Sequence, residues 1–251
     1  MSIDLNSDLG ESFGAWKMGM DEEVLPYITS ANVACGWHGG DALIMEKTVT
    51  MAVKSGVAVG AHPSLPDLLG FGRRNMDVSE AEIKAYLKYQ IGALAAFARS
   101  SGVRLQHVKP HGAMYNMAVS NEKLAIAVAE AIRETDPELI LVGLSGSMLV
   151  LAGKAAGIRV KSEVFADRAY NEDGTLVARK LPGALITDKD AAVARVIRMV
   201  KEQTVRSITG KDIPITAETV CVHGDNPEAV AFARGLREAL EAERIVISAF
   251  L

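Results

Sequence analysis

All five histidines of this 251-residue chain, His38, His62, His107, His111 and His223, fall at or just beyond the ends of short apolar runs that read as β-strands. None lies inside a helical pattern. The same strand ends carry Asp8, Glu11, Arg73, Arg74, Lys109, Glu163, Asp167, Arg168 and Asp225. In parallel β/α folds the carboxyl ends of the strands build the active site. Carboxylates, imidazoles, an amine and guanidiniums around one rim suit hydrolysis at a polarised carbonyl.

The first strand alternates. Asp4, Asn6 and Asp8 share one face, while Ile3 and Leu5 share the other. A polar face on a buried strand is unfavourable unless satisfied or used, which suggests a carboxylate at the mouth; a turn in which Asp8 bonds the backbone near Gly10 is the plainer alternative. The second strand runs into Cys35-Gly36-Trp37-His38-Gly39-Gly40-Asp41. His38 could be a base or a ligand. Cys35 could be a nucleophile, but a small thiol at a strand end more often packs. Asp41 could serve the site or simply cap the next helix. In the loop after His62, Arg73 and Arg74 could clamp an anion or form a surface charge pair. His107 and Lys109 share a strand face, and Lys109 is placed to stabilise developing negative charge. The spacing His223-Gly224-Asp225 could orient an imidazole, or Asp225 could help cap a helix. An Asp8, His38 and His62 set could hold a divalent metal with open positions. The zinc spacing His-Glu-x-x-His, a P-loop and a Gly-x-Gly-x-x-Gly fingerprint are all absent from the sequence.

The elements that must position these groups are strands expected near 3–6, 29–34, 57–61, 104–109, 139–144, 159–164 and 217–222. Continuous runs such as Leu139-Ile140-Leu141-Val142 suit strands buried on both faces. Helical patterns lie between them. Ser79-Glu80-Ala81-Glu82 reads as a capping box, Thr187-Asp188-Lys189-Asp190 opens a helix over about 191–203, and Asn226-Pro227 opens the last. Only 21–27 suggests a short helix after the first strand. Strands alternating with helices imply a parallel sheet. Seven units fit a single domain over 1–251, a distorted seven-stranded (β/α) barrel, with a doubly wound open sheet as the alternative; barrels of this kind run to about 250 residues. Residues 166–185 read as a long loop or hairpin inserted after the sixth strand. A net charge of −4 without a basic stripe argues against a nucleic-acid partner, and no apolar run of membrane-spanning length occurs. Two cysteines and the lack of an export signal place the expected location in the cytoplasm.

Seven ordered motifs then carry a resemblance: Asn6-Ser7-Asp8-Leu9-Gly10-Glu11, Ala34-Cys35-Gly36-Trp37-His38, Gly60-Ala61-His62-Pro63-Ser64, Gly70-Phe71-Gly72-Arg73-Arg74, Val108-Lys109-Pro110-His111-Gly112, Glu163-Val164-Phe165-Ala166-Asp167-Arg168 and Val222-His223-Gly224-Asp225. Over nearly its whole length the chain resembles the LamB/YcsF family, with Trp37 and Gly39 standing where Phe and Ala are expected. The resemblance implies a barrel akin to sugar deacetylases. It also implies the A component of a bacterial 5-oxoprolinase, opening 5-oxoproline to glutamate with ATP hydrolysis alongside subunits B and C. The nucleotide would bind here or on a partner, and self-association is left open. A five-membered lactam holds its amine beside its carbonyl, so reclosure has a large effective molarity and activation of the amide helps. Under that reading Lys109, Arg73 or Arg168 could hold an anion, Asp8 or a histidine could be the base, and His111 or His223 the acid. Two rival readings are a metal-dependent deacetylase of small sugars and a non-catalytic substrate-binding subunit.

Overall fold

The computed structural model describes residues 1–250. Its elements are β1 (Ser2–Leu9), α1 (Asp21–Val24) running into a 3-10 turn (Leu25–Tyr27), β2 (Ser30–Ala34), α2 (Ala42–Lys54), β3 (Ala58–His62), α3 (Glu80–Ser100), β4 (His107–Val108), α4 (Gly112–Ser120), α5 (Glu122–Thr135), β5 (Ile140–Leu144), α6 (Met148–Ala155), β6 (Val160–Phe165), α7 (Lys189–Glu202), β7 (Thr204–Arg206), β8 (Asp212–Pro214), β9 (Thr219–Val222), α8 (Pro227–Ala242) and β10 (Val246–Ile247). Seven parallel strands run in the order β1-β2-β3-β4-β5-β6-β9, and β9 returns to β1 through Asp4↔Thr219 to Ser7↔Val222. That closing ladder makes a barrel and removes the open-sheet alternative. The strands form because their residues are buried on both faces. Leu5 and Leu9 face the helical shell, whereas Asp4 and Asn6 point into the barrel, and all four are almost wholly buried.

The helices start where the local chemistry says they should. The Ser79 hydroxyl accepts from the Glu82 amide at 3.3 Å, and the Glu82 carboxylate accepts from the Ser79 amide at 2.8 Å. Replacing Ser79 by Ala removes half of this reciprocal cap, and a loss of about 1 kcal/mol is expected. Thermal denaturation then shows a melting temperature lower by roughly 2–4 °C for a chain of this size. Asp188 and Asn226 cap α7 and α8 in the same way.

Several features depart from the sequence reading. The fourth strand is only two residues long, shorter at both ends than expected, and Pro110, which has no N–H to donate, follows it. A helical stretch behind it breaks at Asn121, which closes α4 and caps α5. The hairpin β7–β8 and the edge strand β10 have no clear local signal. β10 pairs with Ser2 and Ile3, and the chain then crosses the barrel bottom. There Phe250 joins Ile140 and Val142 and its carbonyl accepts from Gln106. The inserted segment 166–188 is held by the bridges Arg168↔Leu185 and Tyr170↔Leu176, with Tyr170 fully buried beneath it. No helix among the described residues is long and apolar enough to cross a membrane.

Candidate active site

A cavity of about 810 Å³ opens at the carboxyl ends of the strands. Its floor is Asp8, Glu11, His62, Lys109, His111 and Tyr115, and its far wall is the inserted segment with Asp167, Arg168 and Arg179. Beneath the floor runs a directed hydrogen-bond network. His107 Nε2 lies 2.8 Å from Asn32 Oδ1, and Asn32 Nδ2 donates to Asn6 Oδ1 (2.7 Å) and Asp8 Oδ1 (2.8 Å). Asn6 Nδ2 donates to Thr219, whose hydroxyl donates to Asp4. Lys109 Nζ ties the layers together, reaching Asn6 Oδ1 at 3.1 Å, Asp8 Oδ1 at 3.0 Å and Glu163 Oε1 at 2.8 Å. Tyr115 donates to the other oxygen of Glu163 at 2.7 Å.

The charges follow from these partners. Burial alone would push the Asp8 carboxyl up, but His62 and Lys109 together hold it well below the usual range. Burial would lower Lys109, yet Asp8, Cys221 and Glu163 raise it well above its ordinary value. The pair is therefore ionised across the neutral range. Asp4, deep in the barrel, is pushed up to about 6 by burial, against the pull of its three hydroxyl donors. Burial likewise lifts Glu11, with the nearby Asp8 adding to it.

Three histidines meet above this floor. His62 Nδ1 lies 2.7 Å from the Lys109 carbonyl, and His111 Nε2 lies 2.8 Å from the Phe71 carbonyl. A carbonyl oxygen only accepts, so each of those nitrogens carries a proton, and in the neutral ring the opposite nitrogen carries a lone pair. Those lone pairs, on His62 Nε2 and His111 Nδ1, face each other at 3.0 Å. His62 Nε2 also stands 3.2 Å from Asp8 Oδ2. His38 stacks flat on His111 at 3.7 Å, with its Nε2 3.0 Å from Glu11 Oε1 and its Nδ1 buried without a partner. Burial and then the neighbouring imidazoles push His111 well below its usual range, so its Nδ1 stays unprotonated. A cation satisfies all of these acceptors. Glu11, His38, His62 and His111 place one ligand atom each within 4.8 Å of one another. An N/O set of this kind suits Zn²⁺ and similar divalent ions. Calorimetric titration with Zn²⁺ is expected to find one tight site, with affinity reduced at least about tenfold in His111→Ala and Glu11→Gln. Equal affinity in both variants would refute the assignment.

The sequence-derived residues distribute unevenly around this centre. Of the expected metal set Asp8, His38 and His62, the two histidines join Glu11 and His111 as candidate ligands, whereas Asp8 lies outside that cluster, 3.2 Å from His62 Nε2. The loop bearing Glu11 is drawn in because Gly40 donates to the Ser12 carbonyl and Gly39 packs on the Glu11 backbone; a Cβ at Gly39 would lie 2.6 Å from the Glu11 carbonyl oxygen. Asn6 and Glu163 are buried below the floor, where they hold Lys109 and do not line the cavity. Lys109 Nζ spends its donors on Asn6, Asp8 and Glu163, so it acts through its charge and is not free to grip an anion. His223 pairs with Asp167 at 3.4 Å, not with Asp225, because the strand end turns its ring toward the inserted segment. Burial opposes its charge, but Cys221 and Asp167 outweigh that and raise it well above the usual range; the ring is partly exposed, which weakens the effect. Asp225 is exposed on the rim, and Asn226 supplies the cap instead. Arg73 stands over the Phe71 ring at the cavity edge, 5.0 Å from its centroid. Arg74 does not line the cavity; it pairs with Asp67 and closes its own turn. Asp41 accepts from Leu43, Ile44 and Gly14, so it caps α2 and pins the first loop. Cys35 is buried, donates to the Val33 carbonyl and is pushed up to about 12 by burial, which marks it as packing. Both cysteines are free.

The sequence reading did not single out Asn32, Tyr115 or Arg179. Asn32 had a signal, a polar side chain on the same face as Ser30 within a buried strand. Tyr115 and Arg179 had none, since only the closed barrel brings α4 and the insertion to the same cavity.

The closed seven-stranded parallel (β/α) barrel is a fold of the deacetylase type. Its likeness to the family 4 carbohydrate esterase from Streptomyces lividans, solved with acetate, has a TM-score of 0.54 at 13% identity over 99% of this chain and 92% of that one. That likeness concerns the fold alone. The sequence matches the LamB/YcsF family over residues 3–251, and the chain belongs to that family. Among its relatives, the A component of 5-oxoprolinase from Alkaliphilus metalliredigens is 59% identical over 98% of this chain and 96% of its own length. That of Bacillus licheniformis is 57% identical over 99% and 98%. The lactam utilization protein from Thermus thermophilus superposes with a TM-score of 0.95 at 46% identity, covering all of both chains.

Proposed function

We propose that this chain is the A component of an ATP-hydrolysing 5-oxoprolinase and carries the site at which the 5-oxoproline lactam is opened to L-glutamate. The observation that supports this most is the convergence of Asp8, Glu11, His38, His62 and His111 over the Lys109–Glu163 pair, at the floor of a cavity with cationic walls. The names and high identities of the relatives supply the substrate. A divalent ion held by Glu11, His38, His62 and His111 would polarise the amide carbonyl as a Lewis acid. Asp8 takes the proton of the attacking water through Oδ2. Its Oδ1 is fixed by Asn32 and Lys109, and Oδ2 is the oxygen left facing the cavity. Positioning ranks before pKa in choosing a base, and the low pKa of Asp8 keeps it in the basic form at every neutral pH. Lys109 opposes the negative charge that develops on the former amide oxygen. His223, kept protonated beside Asp167, is placed to give its proton to the departing nitrogen. ATP, bound on one of the partners B and C or at this cavity, supplies the driving force that plain hydrolysis of a five-membered lactam lacks: its terminal phosphoryl group passes to the amide oxygen with release of ADP, water adds to the activated carbon, the C–N bond breaks as the nitrogen takes a proton, and a second water hydrolyses the resulting acyl phosphate to glutamate and phosphate.

Incubating the chain with subunits B and C, 5-oxoproline and ATP is expected to release glutamate, and omitting the chain, either partner or ATP is expected to stop it. Release unaffected by omitting this chain would rule the proposal out. The acceptor cluster and the barrel type also favour a second reading, metal-dependent amide deacetylation. Acetate release from an N-acetylated sugar without ATP would support that reading instead.

A further inference from the structure

The cavity has two poles. The histidine cluster comes from β2, β3 and the end of β4, while the inserted segment that follows β6 forms the opposite wall, further round the ring. Arg168 on that wall is only 7% exposed. One of its terminal nitrogens donates to the Val177 carbonyl at 2.7 Å, its Nε has no partner, and no carboxylate among the described residues pairs with it. Asp167, its neighbour in the chain, offsets part of the cost of burying the guanidinium, but its ion pair is with His223. A buried guanidinium with an unmatched N–H and no ion pair of its own is unfavourable unless a ligand supplies the missing acceptor. Arg168 is nonetheless held firmly: its backbone bridges Leu185, Ala169 exchanges hydrogen bonds with Ala184 and Val177, and its carbonyl accepts from Arg195. Arg179 lines the same wall, exposed and without an ion pair. Arg168, buried and held in this way, calls for a negative charge brought by a ligand, and Arg179 adds a second, exposed cation to the same wall.

We infer that Arg168 and Arg179 form the subsite for the substrate's carboxylate and restrict the site to cyclic amides bearing an acid on the ring carbon beside the nitrogen. This rests on the proposed lactam-opening function and deepens it. In 5-oxoproline that carbon lies across the nitrogen from the carbonyl, so a ring with its carbonyl over the histidine cluster extends its carboxylate toward the opposite wall. Arginine suits the task because its planar fork matches two carboxylate oxygens, which a lysine ammonium does not. Arg73, on the histidine side beside Phe71, is the wrong pole for this group and serves the reacting end. The neighbouring Asp167–His223 pair places the nitrogen's proton donor between the two poles, where the ring nitrogen falls.

A site built to pair a charged group discriminates strongly against an analogue lacking it. The test uses the full assembly with subunits B and C, and 5-oxoproline against 2-pyrrolidinone, the same ring without the carboxylate. Arg168→Lys and Arg179→Ala are each expected to lower kcat/KM for 5-oxoproline about ten- to a hundredfold, chiefly through KM, as removal of a charge-assisted hydrogen bond predicts. Binding of 2-pyrrolidinone to the purified chain, followed by ligand-observed NMR, is expected to be weak and the same in wild type and variants. If Arg168→Lys fails to fold, the exposed Arg179→Ala decides alone. An unchanged KM in the folded variants, with glutamate still released by wild type, overturns the subsite while leaving the proposed function standing. So does an Arg-dependent affinity for inorganic phosphate or ATP without one for 5-oxoproline, which would reassign the pair to a phosphoryl group. No glutamate from the wild-type assembly overturns the function, and the inference with it.

Discussion

Asp8→Asn is expected to reduce glutamate release by about two to four orders of magnitude, the range for loss of a positioned general base, with the fold retained. The fold survives because an asparagine oxygen in the place of Oδ1 still accepts from Asn32 Nδ2 and Lys109 Nζ, and Lys109 keeps Glu163 as its counter-charge. What changes is the other atom. Oδ2 stands 3.2 Å from His62 Nε2, and replacing it by an amide NH₂ removes both the proton acceptor and the negative charge at the cavity floor. Circular dichroism and the melting temperature should match wild type to within a few degrees while turnover collapses. Retention of more than a tenth of wild-type activity would remove Asp8 from the role of base.

Lys109→Met acts on stability as well as activity. Glu163 is fully buried, and Lys109 is its only cationic partner among the described residues. Removing one member of a buried pair leaves an uncompensated charge and costs about 3–5 kcal/mol. For a chain of this size that lowers the melting temperature by roughly 6–20 °C. The pH dependence has a definite sign. The folded pKa of Lys109 lies above its unfolded value, so its contribution is fully present below about 10.4 and is lost only as pH rises through the folded value. The gap in melting temperature between wild type and Lys109→Met is therefore expected to be flat from about pH 6 to 9. Adding Glu163→Gln to Lys109→Met removes the stranded carboxylate and should recover much of the stability with no recovery of turnover, a coupling that a double-mutant cycle reads directly.

The barrel was largely legible in the sequence because its signals are local. Continuous apolar runs marked strands buried on both faces. The alternation of Asp4, Asn6 and Asp8 against Ile3 and Leu5 pointed to a polar face on β1, and the position of the histidines at strand ends pointed to the carboxyl-end mouth. The capping box at Ser79 and the Asn-Pro start of α8 came from the same short-range chemistry. What failed was long-range. The histidine–aspartate pairing across three residues, His223 with Asp225, was a sequence neighbourhood, whereas the contact made is His223 with Asp167, set by how the insertion folds back after β6. Glu11 and His111 could not be assigned to the Asp8, His38 and His62 group, because their approach depends on Gly39 packing against the Glu11 backbone and on the Phe71 carbonyl fixing the His111 ring. Arg73 and Arg74, adjacent in sequence, separate because Asp67 captures only the second. Phe250 closing the barrel bottom carries no pattern of its own, since one aromatic residue at a chain end has no period.

The most direct test of the central claim is glutamate release from 5-oxoproline and ATP by the assembly with subunits B and C, followed by proton NMR, with this chain supplied as wild type and as Asp8→Asn. Steady release with the first and loss of at least about a hundredfold with the second, in assemblies of equal composition, is the result predicted for a chain that carries the lactam-opening site. Equal release from both would contradict it and place the reacting atoms elsewhere in the assembly.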